Sequence, residues 1–236
     1  MIAVGSVKGS PGATTLAAAL AVVWPGDAAA LLVEADCAGG DLGGWHWTPD
    51  TPGVASLAAA CRTGAVQLGE HVRRLPLGVD VLLGAAARSP ATVAVGLLAE
   101  ADHGLWAKER PTILDVGRLE PDAPSSVLVT KAEVLLLVAR GDEASLLRVA
   151  DAKLPAREVR LVLVGGCRYH HDEITQLTGL PVAASVPWDS YSARVIAGQA
   201  VARKGWTRRG LPADARALAA QLTTPTAEGV AGDRRG

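Results

Sequence analysis

The sequence predicts a three-layer α/β fold, in which helices cover both faces of a mostly parallel sheet. Short apolar runs of strand length alternate with longer helical segments, as in proteins whose parallel strands are joined by crossover helices. A glycine-containing loop follows the first apolar run and precedes a helix. Two further apolar runs lead into an aspartate, at Asp36 and at Asp115.

The predicted elements follow one another in strand and helix order. The first strand, 2–7, is apolar throughout, and the alanine-rich helix 14–24 ends at Pro25-Gly26. The other predicted strands cover 29–33, 79–83, 112–116, 134–139, 161–164 and 182–186. The other predicted helices cover 54–62, 66–74, 91–101, 144–152 and 172–177. We expect one domain over residues 1–222 and, because 223–236 has no periodic pattern, a disordered tail.

The composition is that of an ordinary globular protein. The 236 residues suffice for one domain with a core, and 49% of them are hydrophobic. The net charge of −1 excludes a global basic field that would attract nucleic acid or anionic lipid. The three isolated cysteines indicate neither a disulfide framework nor a zinc site. We find no signal peptide and no apolar run of about 18 residues, so we expect a cytoplasmic protein without an integral membrane segment.

The segment Lys8-Gly-Ser-Pro-Gly-Ala-Thr-Thr15 has the features of a phosphate-binding loop. The standard motif G-x-x-x-x-G-K-[ST] would place Val7 at its first glycine and Ala13 at its lysine, so two fixed positions differ. Backbone N–H groups in such a loop bind anions without any side-chain charge. The predicted nucleotide-binding residues of the loop are Gly9, Ser10, Pro11, Gly12, Ala13, Thr14 and Thr15. The alternative is a plain turn between a strand and a helix.

Asp36 and Asp115 follow strands at the edge where open parallel sheets bind ligands. An apolar strand that ends in aspartate, as at Asp115, is the usual second magnesium element of phosphate-loop proteins. Asp36 could hold a magnesium-bound water or orient an attacking one, and the hydroxyl of Thr14 stands where such loops contact the metal. Each aspartate could instead cap a turn, but their order favours one Mg²⁺ site formed by Thr14, Asp36 and Asp115. Glu34 fits a structural role better.

Together these residues resemble the MinD/ParA family of deviant Walker A P-loop ATPases, whose loop reads K-G-G-x-G-K-T-T. The resemblance covers roughly residues 1–210. Lys8 matches the family's signature lysine, Asp36 an aspartate of its D-x-D segment, and Asp115 its Walker B aspartate. The segment 186–205 resembles the family's closing segment, in which a P-x-D turn, here Pro187 and Asp189, borders the base.

Ala13 places the resemblance nearest to the CpaE/TadZ branch of pilus-assembly and polar-localisation proteins, whose loop often carries alanine there. Two departures from the family are Ser10, in place of a glycine, and Gly165-Gly166, where an asparagine often reads adenine. The resemblance implies ATP and Mg²⁺ as cofactors and a homodimer with nucleotide between its subunits. It also implies catalytic roles for Lys8, which would reach the partner's phosphates, and for Asp36.

Loss of the loop lysine removes a charge-assisted contact worth about 1.5–3 kcal/mol, which weakens binding roughly ten- to a hundredfold. Hydrolysis should suffer more than binding, because catalytic charge acts on the transition state. We therefore expect a dimerising nucleotide-dependent switch, with weak or absent hydrolysis, that positions a pilus or secretion assembly. The alternatives are an active ATPase of partitioning or division, in which Lys8 suffices, and a pseudo-ATPase scaffold. Any polar or membrane association would come through partners.

Three other groups of residues are candidates for binding. We expect His170-His171 to lie in a solvated loop, because adjacent side chains point apart and no further metal ligand lies nearby in sequence. Nucleic-acid contact by the basic cluster, defined as Arg203, Lys204, Arg208 and Arg209, is the less favoured alternative to a solvated helix end. The segment 45–47, Trp-His-Trp, could bind a partner or fold over the core.

Overall fold

The computed structural model describes residues 1–8, 11–64, 66–108 and 110–223. Its centre is an eight-stranded sheet with the strand order β3-β4-β2-β5-β1-β6-β7-β8. All neighbouring strands are parallel except β3 and β4. The strands are β1 (Ile2–Ser6), β2 (Leu31–Glu34), β3 (Arg73–Arg74), β4 (Asp80–Leu82), β5 (Thr112–Arg118), β6 (Val134–Arg140), β7 (Val159–Val164) and β8 (Val182–Val186). The predicted α/β fold with a mostly parallel sheet is confirmed.

Helices cover both faces of this sheet. They are α1 (Ala13–Val23), α2 (Leu42–Trp45), α3 (Val54–Thr63), α4 (Arg88–Glu100), α5 (Ser125–Lys131), α6 (Glu143–Ala150), α7 (His171–Thr178), α8 (Ser190–Ile196) and α9 (Gly210–Thr223). Side chains alternate along each strand, so Ile2 and Val4 of β1 belong to the core cluster that contains α1 and α9, whereas Ala3 belongs to the cluster on the other face, which contains α3 and α4. The apolar strands are buried on both sides, as expected for a parallel sheet.

The prediction of a helix over 66–74 was wrong. That segment contains a short 3₁₀ turn, Leu68–Glu70, and then β3, which pairs with β4 in antiparallel register. A tight turn joins the two strands, in which the N–H of Leu75 donates to the carbonyl of Val79 and Gly78 has a φ of 79°. Pairing along the sheet edge therefore outweighs the helical pattern of this segment.

The last helix is part of the core. Leu211, Ala215, Leu218 and Ala219 of α9 are buried, and the helix packs against α1. The alanine-rich side of this segment therefore lies against the domain. The expected disordered tail, apart from Thr223 at the end of α9, lies outside the described residues. None of the helices in the described part of the chain is long and apolar enough to cross a membrane.

The strand order determines where the functional residues meet. Strands β2, β5 and β1 are neighbours and all run in the same direction. Their carboxyl ends therefore lie side by side, which brings Gly117 near the end of β5 to the same edge of the sheet as Asp36 and Gly12 in the loops after β2 and β1.

Candidate functional site

A pocket of about 620 Å³ opens at the carboxyl ends of β1, β2, β5, β7 and β8. The described residues that line it come from eight regions of the chain. They are Ser6; Pro11 to Leu16; Asp36, Ala38, Asp41 and Trp45; Arg88; Gly117, Arg118 and Glu120; Val164; Val186 to Ser190, Ala193 and Arg194; and Leu211. The pocket thus contacts the predicted phosphate-binding loop, the predicted metal ligand Asp36, and the turn with Pro187 and Asp189 that we predicted to border the base.

The loop delivers the first turn of α1 to this pocket. Gly12 has a φ of 98°, a conformation that favours glycine, and its carbonyl accepts the first helical hydrogen bond, from the N–H of Leu16 at 2.9 Å. No side chain among the described residues caps this end of the helix. The N–H groups of the first turn and the positive end of the helix dipole are therefore available to an anion. Ala13, at the start of the helix, contributes a methyl group and no charge.

Asp115 lies beneath the pocket, in the middle of β5, where it is buried. Its Oδ1 accepts a hydrogen bond from the N–H of Gly117 at 3.1 Å. Burial raises the pKa of Asp115 to about 7, against the opposing effects of the Thr14 hydroxyl and the Gly117 N–H. The negative charges of Asp36 and Asp41 raise this pKa further.

Asp36 lies directly against the backbone of Gly117. Its Oδ1 accepts the N–H of Ala38 at 2.6 Å. A Cβ atom at Gly117 would stand 1.8 Å from Oδ2 of Asp36, and Gly117 has a φ of 58°. Only glycine both lacks a Cβ atom and adopts this φ readily. Gly117 therefore allows the loop after β2 and the end of β5 to lie close to each other. Burial raises the pKa of Asp36, and the nearby Arg88 opposes that rise.

The structure thus brings together the three residues that we predicted to surround a metal ion. Hydroxyl and carboxylate oxygens are the ligands that Mg²⁺ prefers, and the mutual repulsion of Asp36 and Asp115 would be relieved by a cation. Among the described residues no group of three or more His, Cys, Asp or Glu could hold a metal ion by itself. A magnesium ion at Thr14, Asp36 and Asp115 would therefore need phosphate oxygens and water as further ligands.

Glu34 is a second buried carboxyl group at this edge of the sheet. Its Oε1 accepts the N–H groups of Asp41 and Leu42, each at 2.8 Å, and its Oε2 accepts the N–H of Gly84 at 3.0 Å. Burial raises its pKa to about 8, and these N–H groups oppose the rise. Glu34 joins the loop after β2 to the loop after β4 and so has the structural role that we expected.

The turn after β8 forms the opposite side of the pocket. Pro187, Trp188 and Asp189 line it, and the 63% exposed Trp188 ring lies 5.3 Å from the guanidinium carbon of Arg140. Asp189 caps α8 by accepting the N–H of Ser192 at 2.9 Å, and its Oδ2 accepts the N–H of Leu211 at 3.1 Å. Its carboxylate therefore holds α8 and α9 together, and its predicted contact with a nucleotide stays a prediction.

Lys8 is exposed and lies outside the described lining of the pocket. No hydrogen bond or ion pair joins its side chain to another described residue. A role toward the phosphates of a partner subunit stays a prediction. Gly9 and Ser10, also predicted to bind nucleotide, lie outside the described residues.

The sequence reasoning missed several residues that line the pocket. Gly117, Arg118 and Glu120 follow Asp115 closely, and Arg88 begins α4. Nη2 of Arg88 lies 3.5 Å from Oε1 of Glu120, which joins α4 to the end of β5. A search for charged residues beyond the first aspartate after each strand would have found Arg118 and Glu120.

The other candidate groups lie elsewhere or remain open. The prediction of a solvated loop is confirmed for His170, which is exposed and precedes α7, and was wrong for His171, which begins that helix with Nε2 2.9 Å from Oγ of Ser185. The basic cluster is exposed, and the guanidinium of Arg203 stacks over Tyr191. In the segment 45–47, Trp45 packs against the core, whereas Trp47 is 96% exposed.

Solved structures that are similar to this chain include MinD and ParA proteins. A ParA family ATPase from Chlorobium tepidum TLS matches with a TM-score of 0.74 and 19% identity over 94% of this chain and 98% of that one. The septum site-determining protein MinD from Pyrococcus horikoshii OT3, complexed with Mg-ADP, matches with a TM-score of 0.68 and 20% identity over 94% of this chain and 95% of that one. The MinC:MinD cell division protein complex from Aquifex aeolicus matches with a TM-score of 0.60 and 14% identity over 99% of this chain and 98% of that one.

No protein-family model matches the sequence, and no curated protein matches it. The chain therefore has the fold of the MinD and ParA P-loop ATPases, shown by structural similarity at low sequence identity.

The contact between Asp36 and Gly117 can be tested by a glycine pair. We expect Gly117→Ala to lower the free energy of unfolding by more than Gly179→Ala, which serves as the control. Both glycines have positive φ, which costs an alanine about 1–2 kcal/mol, but a Cβ atom at Gly179 would meet nothing within 4 Å. Urea denaturation measures both variants, and equal losses would contradict the close approach of Asp36.

The buried carboxyl groups predict a pH dependence of stability in the absence of nucleotide and metal. Between about pH 4.5 and 8 the folded protein keeps a proton on Glu34 that the unfolded chain has released, so the free energy of unfolding falls as pH rises. Glu34→Gln should make this fall shallower over the same interval. Asp115 also makes the free energy of unfolding fall as pH rises, up to about pH 7, so part of the pH dependence should remain in Glu34→Gln.

Urea denaturation at a series of pH values measures this effect. The control is Glu70→Gln, which changes an exposed carboxylate and should leave the profile as in the wild type. If the profiles of Glu34→Gln and the wild type run parallel, Glu34 does not titrate as its burial requires.

Proposed function

We propose that this protein is a MinD/ParA-like ATP-binding protein that works as a dimerising, nucleotide-dependent switch with weak or absent hydrolysis. The observation that carries the proposal is the convergence of Thr14, Asp36 and Asp115 on the uncapped first turn of α1. That arrangement offers N–H donors for phosphate and oxygen ligands for magnesium in one pocket.

The lining of this pocket favours one orientation for ATP and Mg²⁺. The phosphates would lie against the N–H groups at Gly12 to Thr15, and the metal would lie between the hydroxyl of Thr14 and the carboxylates of Asp36 and Asp115. The base would lie toward Pro187 and Trp188, at the far side of the pocket. Bound magnesium would supply charge stabilisation to the phosphates, and Asp36 could orient a water.

Slow hydrolysis is expected from the loss of the lysine that the standard loop carries at position 13. Phosphoryl transfer depends on cations that meet the charge developing in the transition state. Ala13 supplies none, and Lys8 lies outside the described lining. A second subunit could bring its Lys8 to the phosphates, which would make full binding depend on dimer formation.

The output of such a switch is the positioning of a larger assembly, for which we favour a pilus or secretion machine, and the protein itself would act in the cytoplasm. The alanine at position 13 supports this branch over partitioning or division. The 96% exposed ring of Trp47 follows α2 and the pocket residue Trp45, so a nucleotide-dependent change there would alter an exposed surface. The net charge of −1 makes nucleic acid a weaker candidate partner.

Binding of ATP tests the proposal directly. We expect titration calorimetry to show binding of ATP that is tighter with Mg²⁺ than with EDTA. Thr14→Ala should remove the magnesium-dependent part, because it deletes the hydroxyl beside Asp115. The control Thr130→Ala removes an exposed hydroxyl that bonds only within its own helix, and should bind as the wild type does.

Two further measurements separate the alternatives. Phosphate release should be slow, and sedimentation should show dimers that require Mg²⁺ and ATP. Rapid turnover that Lys8→Ala abolishes would support an active ATPase instead. If saturating Mg²⁺ and ATP give no heat and no rise in melting temperature, the protein is a scaffold and the proposal fails.

A further inference from the structure

Arg118 is fixed beside the phosphate loop by the sheet itself. It is the last residue of β5 and stands in register with Ser6, the last residue of β1. The N–H of Leu119 donates to the carbonyl of Ser6 at 2.8 Å. Because the loop begins directly after Ser6, the backbone of Arg118 cannot move away from the loop without breaking the pairing of these two central strands.

Arg118 lines the same pocket as Gly12, Ala13 and Thr14. It is exposed, and no hydrogen bond or ion pair engages it among the described residues. The other two arginines of the pocket are engaged: Arg88 lies beside Glu120, and Arg194 donates to the carbonyl of Gln199 at 3.4 Å. Within the described lining, Arg118 is thus the cation with no partner of its own.

Nucleotide phosphates bound beside the loop would need a positively charged group close to them. Asp36, Asp41 and Glu120 line the pocket, and the buried Asp115 lies beneath it, so a nucleotide brings its phosphates toward several carboxylates. The loop offers only a methyl group at Ala13. A guanidinium binds phosphate oxygens through two parallel N–H donors and holds its charge at every relevant pH.

We propose that Arg118 supplies, within one chain, the positive charge to the nucleotide phosphates that Ala13 cannot supply. The inference rests on the proposed function, which it deepens: the phosphate-binding cation lies at the end of β5 and not at position 13 of the loop. The site then selects nucleoside di- and triphosphates, and its affinity for them does not depend on Lys8 of a second subunit alone.

Calorimetric titration of the full chain with ADP, ATP and adenosine tests this assignment. Arg118→Gln, which keeps a long polar side chain without the charge, should weaken ADP and ATP binding about ten- to a hundredfold. Adenosine binding should not change, and Arg118→Lys should recover part of the loss. The matched control is Arg148→Ala, which removes an exposed arginine of α6 and should bind as the wild type does.

A charge-relocation variant provides the second readout. Ala13→Lys restores the loop cation, so adding it to Arg118→Gln should recover most of the lost affinity. Thermal unfolding without nucleotide should match the wild type in the arginine variants, since that side chain is exposed.

The outcomes separate the two proposals. If the wild type binds ATP and Arg118→Gln binds it equally well, the assignment of Arg118 is overturned while the proposed function stands. If the wild type binds neither ADP nor ATP, both are overturned. An equal loss for adenosine and ATP in Arg118→Gln would show that Arg118 shapes the pocket without contacting phosphate, which also overturns the assignment.

Discussion

The close contact between the ends of β2 and β5 is the constraint on which the site depends. The carboxylate of Asp36 occupies the space that a side chain at Gly117 would need, and Gly117 in turn donates its N–H to the buried Asp115. Two acidic groups are thereby held at one edge of the sheet, next to the first turn of α1. Neither strand could supply this arrangement alone, since it depends on their being neighbours in the sheet.

Such an arrangement concentrates negative charge in a protein whose loop has Ala13 where the standard motif has a lysine. Burial raises the pKa of Glu34 and of Asp115 well above their ordinary values, which shows how poorly these positions solvate a charge. Glu34 is supported by three backbone N–H groups and so holds the loops in place. Asp115 has less support, and a metal ion with phosphate oxygens would satisfy it. The same geometry that costs stability in the free protein therefore favours binding.

The strand and helix pattern predicted most of this fold because nearly every strand is an apolar run buried on both faces. The pattern predicted the wrong element where contacts between residues distant in the sequence determine the structure. The segment 66–74 has a helical pattern, but Arg73 and Arg74 pair with β4 in antiparallel register and form a hairpin with it. Helix α5 was missed, since a short segment of seven residues carries too little periodicity to be recognised.

The site could be predicted in part for a related reason. Thr14 and Asp36 each follow a recognisable strand and Asp115 lies within one, so their meeting follows from the parallel topology. Gly117 could not be identified, because its importance lies in a contact with a loop 81 positions earlier, at Asp36. Arg118 carries no motif, and only the register of β5 with β1 places it beside the loop.

Hydrogen–deuterium exchange with and without Mg²⁺ and ATP tests the central claim most directly, because it locates the ligand on the chain. The account predicts slower exchange in three separated segments on binding: the first turn of α1, the loop after β2 around Ala38, and the end of β5 around Gly117. Protection confined to the first turn of α1 would contradict a site built from three strand ends. Unchanged exchange at all three segments would contradict nucleotide binding in this pocket altogether.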